Sequence, residues 1–423
     1  MLKDKIKKYL PISLWKSLSN IKMELDSFNT VVILKLAGSN FKSLKLHVRN
    51  KCKEITWLDT LTPEVVFLEN ESIEIYEPKY NAPQKLIKVN RPNICLYKFN
   101  NAKVHSESSH VLLGHSIVME RLPHVLLDYC NYSTGFIKGH DNNFSVYKKR
   151  YEPIFIDKAF FLGGNGSWNY YHWTIEIIPK LKYFLSSNIS NQDIKIILPT
   201  HAKNIKSFSV MLEIILESSF EFVYLSKDQI ANVQQLYIIT TPSNIVINSK
   251  KNISFSMDFL YFDKKSINFL RDAVVFSSQY DLFLKENTSR LKIRKVFLAR
   301  KENLFRKYNQ DEVIGLVAKF GFESIYLEDL SFFEQVYLFQ NVDFLIGASG
   351  AAWTNLIYVN KGVKGISWLG ENVVSFSSYS TLARYYECDL EFLVCDVNNK
   401  TNTHSDYNVD LIVLENLLRK LMS

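Results

Sequence analysis

Between residues 295 and 369 the hydrophobic positions alternate between two periods. Val296-Phe297-Leu298-Ala299 is a short apolar run flanked by charge, the pattern of a strand buried on both faces of a parallel sheet. After a basic loop, Asn309 stands where it can cap a helix. Val313, Ile314, Leu316, Val317 and Phe320 give that helix an apolar face, and Gly321 supplies a left-handed stop. Ile325-Tyr326-Leu327 predicts a second strand. Ser331 with Glu334 three residues later forms a capping box, opening a helix with Phe332, Phe333, Val336 and Phe339 inward. A third strand, 343–347, runs into the small-residue turn 347–355, which predicts the start of a third helix. Strands alternating with helices at this pitch predict right-handed βαβ crossovers and a parallel sheet that takes its ligands beyond the carboxyl ends of the strands.

The rest of the chain divides around this stretch. Residues 1–29 form a basic segment in which Leu2, Ile6, Leu10, Leu14, Trp15 and Leu18 lie near helical spacing among lysines, with Pro11 as a break. Such a segment suits either a lipid interface, through residues 1–23, or a helix docked on the protein body. Short strands are expected at 30–35, 73–76, 94–97, 116–119 and 153–161, and further strands at 194–198, 220–225 and 235–239, with a helix at 203–217. Between these groups a glycine-rich loop, Gly163-Gly164-Asn165-Gly166, leads into a helix that Asn169 can cap and Pro179 kinks or ends. His172 and Glu176, four apart, share one face of it. Beyond 369 the pattern predicts a serine-rich loop at 372–380, a helix at 382–387, a strand at 391–395 and a terminal helix at 409–421. The divisions that follow are 1–29, an N-terminal domain at 30–285, a C-terminal domain at 286–405 and a terminal helix at 406–423.

Composition narrows the classes. A chain of 423 residues with 47% hydrophobic content suits two folded domains, not a disordered protein. The net charge of +8 fits anionic small molecules or an acidic membrane surface, and no arginine-rich or RNA-binding element argues for nucleic acid. Cys52, Cys95, Cys130, Cys388 and Cys395 match no zinc or redox spacing and read as reduced thiols. With no visible signal peptide and no apolar run near the ~20 residues that span a bilayer, the expected location is cytoplasmic. His105, His110, His115, His124 and His140 are scattered without a metal-ligand spacing, and no Asp-x-Asp pair is present, so no metal or other cofactor is expected.

The chemistry concentrates at the turn after the third strand. Small side chains there let backbone N–H groups approach an anion, and the following helix adds roughly half a positive charge at its N-terminus. Arg300 and Arg306 follow the first strand on the same rim, where two guanidinium groups can meet a nucleotide diphosphate without a metal.

These residues also carry a resemblance. Arg300, Arg306 and Asn309, then Ser331-Phe332-Phe333-Glu334-Gln335-Val336, then Gly347-Ala348-Ser349-Gly350-Ala351-Ala352-Trp353-Thr354-Asn355 resemble the catalytic region of glycosyltransferase family 61. Asn169-Tyr170-Tyr171-His172-Trp173 with Glu176 and Pro179 resembles an upstream element of that family. The likeness covers about 163–368. It departs from the family at Ser349, where a histidine is usual, and at Ala352, where a glycine is usual. The resemblance implies a GT-B-like α/β fold, two Rossmann-type domains facing across a cleft with strand-rich N-terminal additions. It also implies inverting, metal-independent transfer from a nucleotide-sugar donor to a glycan or lipid-linked glycan of a bacterial surface. On it, Arg300, Arg306, Gly350, Ala351, Trp353, Thr354 and Asn355 are expected on the donor and Asn169, Tyr171 and Trp173 on the acceptor side. His172 is the expected base, oriented by Glu176, or Glu176 is itself the base.

Two rivals remain in view. A non-catalytic nucleotide- or sugar-binding scaffold would show the same seat without turnover. A short-chain dehydrogenase would use Tyr261 and Lys265, which have its Tyr-x-x-x-Lys spacing but precede the glycine turn instead of following it.

Overall fold

The computed structural model describes residues 47–51, 54–80, 82–120, 130–131, 137–140, 144–148, 151–217, 219–245, 260–287, 293–301, 306–400 and 405–422. The segment 1–29 with its expected membrane contact, the strand expected at 30–35, Cys52 and His124 lie outside these residues.

Two large sheets organise the described chain. The C-terminal one has five strands, all parallel, ordered Glu323–Ile325, Lys295–Leu298, Phe344–Ala348, Lys364–Gly370, Asp389–Cys395. In chain order this is second, first, third, fourth, fifth, the doubly wound arrangement in which the direction of winding reverses between the first and third strands. Alternate residues enter two different cores, as the period of two requires. Val296, Leu298, Leu345, Leu390 and Phe392 join one. Phe297, Ile346, Ile366, Trp368 and Leu393 join the other, where Val313 and Val317 of the helix Gln310–Ala318 meet Leu414 and Leu418 of the terminal helix Leu411–Met422.

The second sheet has nine strands and is mixed. Phe222–Leu225, Lys195–Pro199, Glu152–Phe161 and Gln229–Ile239 are parallel neighbours, and the long strand Ile94–Val104 then pairs antiparallel with the last of them. Phe160, Ile196 and Leu198 from this sheet share a core with Trp173, Phe208 and Leu270 of its helices, and with Val296 and Leu356 of the C-terminal half. Helices therefore fill the space between the two sheets. A hairpin, Glu71–Tyr76 with Leu86–Arg91, reaches across as well: Tyr76 N–H donates to Thr381 Oγ1 at 3.0 Å, and Phe392 N–H donates to Lys79 O at 2.9 Å.

Several elements differ from the reading of the sequence. The second strand ends at Ile325, and Leu327–Asp329 is a 3₁₀ turn. The serines at 372–380 do not make a loop throughout: a helix runs over Ser378–Tyr385. Ser377, Ser378 and Ser380 are buried, and the Ser380 hydroxyl donates to Tyr76 O at 2.6 Å, so the hairpin satisfies one of these side chains. Asn309 stands at the start of its helix but does not cap it. Its side chain donates to Val409 O and accepts from Val409 N–H instead, clasping the approach to the terminal helix. Cys95, Cys388 and Cys395 are buried free thiols, and burial pushes Cys388 and Cys395 up to about 12.

Candidate active site

The carboxyl ends of the first and third C-terminal strands, where the winding reverses, carry Arg300 and Gly350. Gln310 fixes the first of these by accepting from Arg300 N–H and donating to Arg300 O, each at 2.8 Å. The Arg300 guanidinium turns onto the bend, donating through Nη2 to Ala348 O and Ser349 O. Gly350 makes room for it, since a Cβ there would lie 2.5 Å from Arg300 Nη2. Arg306 adopts a left-handed backbone, φ 55°, on the same rim. Burial first, and then the charge of Arg300, push it below the ordinary arginine value. Among the described residues neither guanidinium is paired with a carboxylate. Two neighbouring cations without a counter-charge make a site that an anion relieves.

Beside them opens a cavity of about 690 Å³ with walls from both halves of the chain, Asn169, Tyr170 and Ser207 from one and Arg300, Arg306 and Gly350 from the other. Ala351 and Asn355 also line it. Trp353 and Thr354, expected on the donor, do not. The turn opens a 3₁₀ helix, Ala351–Tyr358, with three residues per turn, so Ala352 and Asn355 eclipse on the cavity side while Trp353 and Leu356 eclipse toward the core. Trp353 is fully buried with its indole N–H donating to Ala348 O at 3.1 Å, and Thr354 is fully buried too. The Trp353 N–H turns back to Gly350 O at 3.0 Å, so the amides through 354 are not all bare, as the sequence reading had them.

The upstream segment builds the facing side. The glycine-rich loop is pinned: Gly164 N–H donates to Ser106 O at 3.0 Å, and Asn165 exchanges hydrogen bonds with Ser109. Asn169 accepts from Tyr171 N–H at 2.9 Å, as a cap does. The turn that follows, His172–Ile177, is a wide π-helical one with Ile178 N–H donating to Trp173 O at 2.9 Å; beyond Pro179, itself helical in backbone, the chain continues as the helix Lys180–Leu185. On this turn His172 Nδ1 and Glu176 Oε2 are 2.7 Å apart. Burial lowers the affinity of His172 for its proton, but the charge and hydrogen bond of Glu176 together outweigh it and leave its pKa raised above 6.5. Gly166, at φ 72°, lies against the ring, and a Cβ on it would sit 2.6 Å from His172 Cδ2. No described residue bonds Nε2.

Of the residues expected on the acceptor side, only Asn169 lines the cavity. Tyr171 and Trp173 are buried: Trp173 stacks on Phe208 at 4.7 Å, and Tyr171 packs edge-on between His172 at 5.4 Å and Tyr379 at 5.7 Å. His172 and Glu176 are not among the residues of the cavity wall; Tyr171 touches both His172 and Tyr379, and the charges of the arginines reach Tyr379. The structure adds Tyr170, whose hydroxyl donates to Asn355 Oδ1 at 2.6 Å, and Gly166. Gly166 was visible as part of a glycine run, whereas nothing in the sequence distinguished Tyr170 from its aromatic neighbours. Among the described residues no His, Cys, Asp and Glu cluster of metal-binding size occurs, and no helix is long and apolar enough to cross a membrane. Tyr261, the dehydrogenase candidate, is buried and donates to Thr241 O, while Lys265 is exposed.

A parallel doubly wound sheet with a cationic cavity at its winding reversal defines an α/β protein whose cavity lies where such sheets take their ligands. Residues 170–366 match the family model described as Glycosyltransferase 61. The match supports glycosyltransferase family 61, and with it glycosyltransferase activity, for that region. No curated protein matches the chain.

Proposed function

We propose that the protein is an inverting, metal-independent glycosyltransferase that moves a sugar from a nucleotide-sugar donor to a growing surface glycan, either capsule, lipopolysaccharide or a related polysaccharide. Its two sheets act as the halves of a GT-B-like enzyme, the C-terminal half holding the donor and the N-terminal half presenting a glycan or lipid-linked acceptor. The work is done at the cytoplasmic membrane face, with residues 1–23 as a peripheral contact.

The observation that carries this reading is the pair of guanidinium groups, Arg300 and Arg306, without a carboxylate partner among the described residues, beside a cavity walled by both halves. The diphosphate of the donor sits against them and the bend at Gly350. An acceptor hydroxyl attacks the anomeric carbon, the bond from that carbon to the diphosphate oxygen breaks, and the electrons leave with the diphosphate, whose added charge the arginines stabilise. His172 takes the hydroxyl proton on Nε2 while Glu176 holds Nδ1. The acceptor enters along Asn169, which lines the cavity three residues before the histidine.

His172→Ala tests the reading. The variant is expected to lose transfer from labelled nucleotide sugars while its nucleotide affinity, read by titration calorimetry, stays at the wild-type value. Undiminished transfer would remove His172 as base, and a wild-type protein that binds nucleotides without turnover on any acceptor fraction would favour the scaffold.

A further inference from the structure

One buried hydroxyl close to the arginines has no partner among the described residues. Tyr379 stands at the start of the helix Ser378–Tyr385, which packs against the helix Ala351–Tyr358 that follows the Gly350 bend. The residue is only 5% exposed, and no described residue bonds its hydroxyl. A buried hydroxyl left unbonded is costly, so one that is kept calls for an acceptor from outside the chain.

The surroundings say what that acceptor is. The ring packs edge-on against Tyr171, the neighbour of His172, at 5.7 Å, and against Phe376 at 5.6 Å. Its hydroxyl lies within reach of the charges of Arg306 and Arg300. Burial, the larger influence, holds the phenol above its ordinary pKa while the two arginines pull the other way. The group is therefore a neutral O–H beside two cations, a donor suited to an anion's oxygen.

The hairpin keeps the ring in place. The Ser380 hydroxyl donates to Tyr76 O at 2.6 Å, Tyr76 N–H donates to Thr381 Oγ1 at 3.0 Å, and the Tyr385 hydroxyl donates to Glu74 O at 3.3 Å. The phenol is thus carried on fixed backbone before any ligand arrives, which is what makes a donor effective at a centre where charge develops.

In the transfer proposed above, the oxygen that leaves with the diphosphate lies between the arginine seat and the acceptor hydroxyl that His172 deprotonates. Tyr379 meets both sides of that interval, His172 through the Tyr171 ring and the seat through the arginine charges. Resting on the donor-site reading, we infer that the Tyr379 hydroxyl donates a hydrogen bond to the phosphate that carries the sugar, at the oxygen freed when the anomeric bond breaks. No proton is transferred. The bond strengthens as that oxygen becomes anionic, so it favours the transition state over the bound donor.

The test is calorimetric titration of the full chain with UDP, GDP, ADP and CDP and with the matching monophosphates, in wild type and Tyr379→Phe. The substitution keeps the ring and its contacts and removes only the hydroxyl. A nucleoside diphosphate bears on its terminal phosphate the charge that the leaving group gains. The best diphosphate is expected to bind the variant about tenfold to a hundredfold more weakly, the value of a hydrogen bond to a charged group. Its monophosphate, which lacks that phosphate, binds as before, and the urea unfolding midpoint is held or raised. Equal weakening of both nucleotides, weakening of neither, or a loss of affinity accompanied by a lower midpoint overturns the inference and leaves the donor site standing. If the wild type binds no nucleotide of either kind, the donor-site reading itself falls and this inference with it.

Discussion

The Tyr170 hydroxyl donates to Asn355 Oδ1 across 2.6 Å, joining the segment that carries His172 to the helix that follows the Gly350 bend. Asn355 continues the link through its Nδ2, which reaches Gln335 Oε1 at 3.4 Å, and Gln335 in turn holds the 327–330 backbone. One chain of polar contacts therefore crosses the cavity wall from the N-terminal half to the C-terminal sheet. Tyr170→Phe keeps the ring on Phe208 but leaves the buried Asn355 carbonyl without its donor. The expected cost is about 1–2 kcal/mol in urea unfolding, together with weaker nucleotide binding. A variant unchanged in both would show that the contact is incidental.

Glu176 sets the protonation of His172. Because the folded-state pKa is raised above 6.5, the pair's contribution to stability is full below that pH and is lost as pH rises through the folded value. As a base, His172 acts only when neutral, so wild-type turnover falls as pH drops through the raised pKa. Glu176→Gln removes both influences that raise it and leaves burial, which lowers it. The acid limb of the rate profile is expected to move to lower pH, with the acid-side stability gain gone. A limb that stays in place would detach it from His172.

Gly166 is expected to matter for the same ring. Gly166→Ala puts a Cβ into the imidazole at a left-handed backbone position. A stability loss of about 1–2 kcal/mol and a marked loss of transfer, with nucleotide affinity preserved, is the expected result. Rate assays and calorimetry on one preparation check it, and a fall in nucleotide affinity equal to the fall in rate would contradict a role at His172 alone.

Ser331 offers a control remote from chemistry. Its hydroxyl accepts from Glu334 N–H, and the Glu334 carboxylate accepts from Ser331 N–H, a complete capping box on the helix Phe332–Asn341. Ser331→Ala should cost about 1 kcal/mol of stability in thermal or urea unfolding and leave transfer unchanged. A loss of activity without a loss of stability would assign Ser331 a role that the capping box does not explain.

Much of the C-terminal sheet was legible because its strands are apolar on both faces and the helix Phe332–Asn341 opens on a recognisable cap. Ser331 with Glu334 is the clearest case, since both hydrogen bonds of the box follow from local spacing alone. Trp353 and Thr354 were expected on the donor, whereas a 3₁₀ helix turns both side chains into the core. Asn309 was read by its local preference, and Val409, a hundred residues on, outcompeted it. Tyr170 and Tyr379 carried no local signal, because what distinguishes them is a partner or a neighbour that only tertiary structure assembles.

Titration of nucleoside diphosphates into the wild type and Arg306→Ala tests the central claim most directly, that Arg300 and Arg306 form a seat for diphosphate. The account predicts binding of at least one nucleoside diphosphate by the wild type and at least about tenfold weaker binding by the variant. The same substitution should hold or raise the unfolding midpoint, because it removes a half-buried cation that faces Arg300 with no counter-charge among the described residues. A wild type that binds no nucleotide, or a variant that binds as tightly as the wild type, would contradict the account.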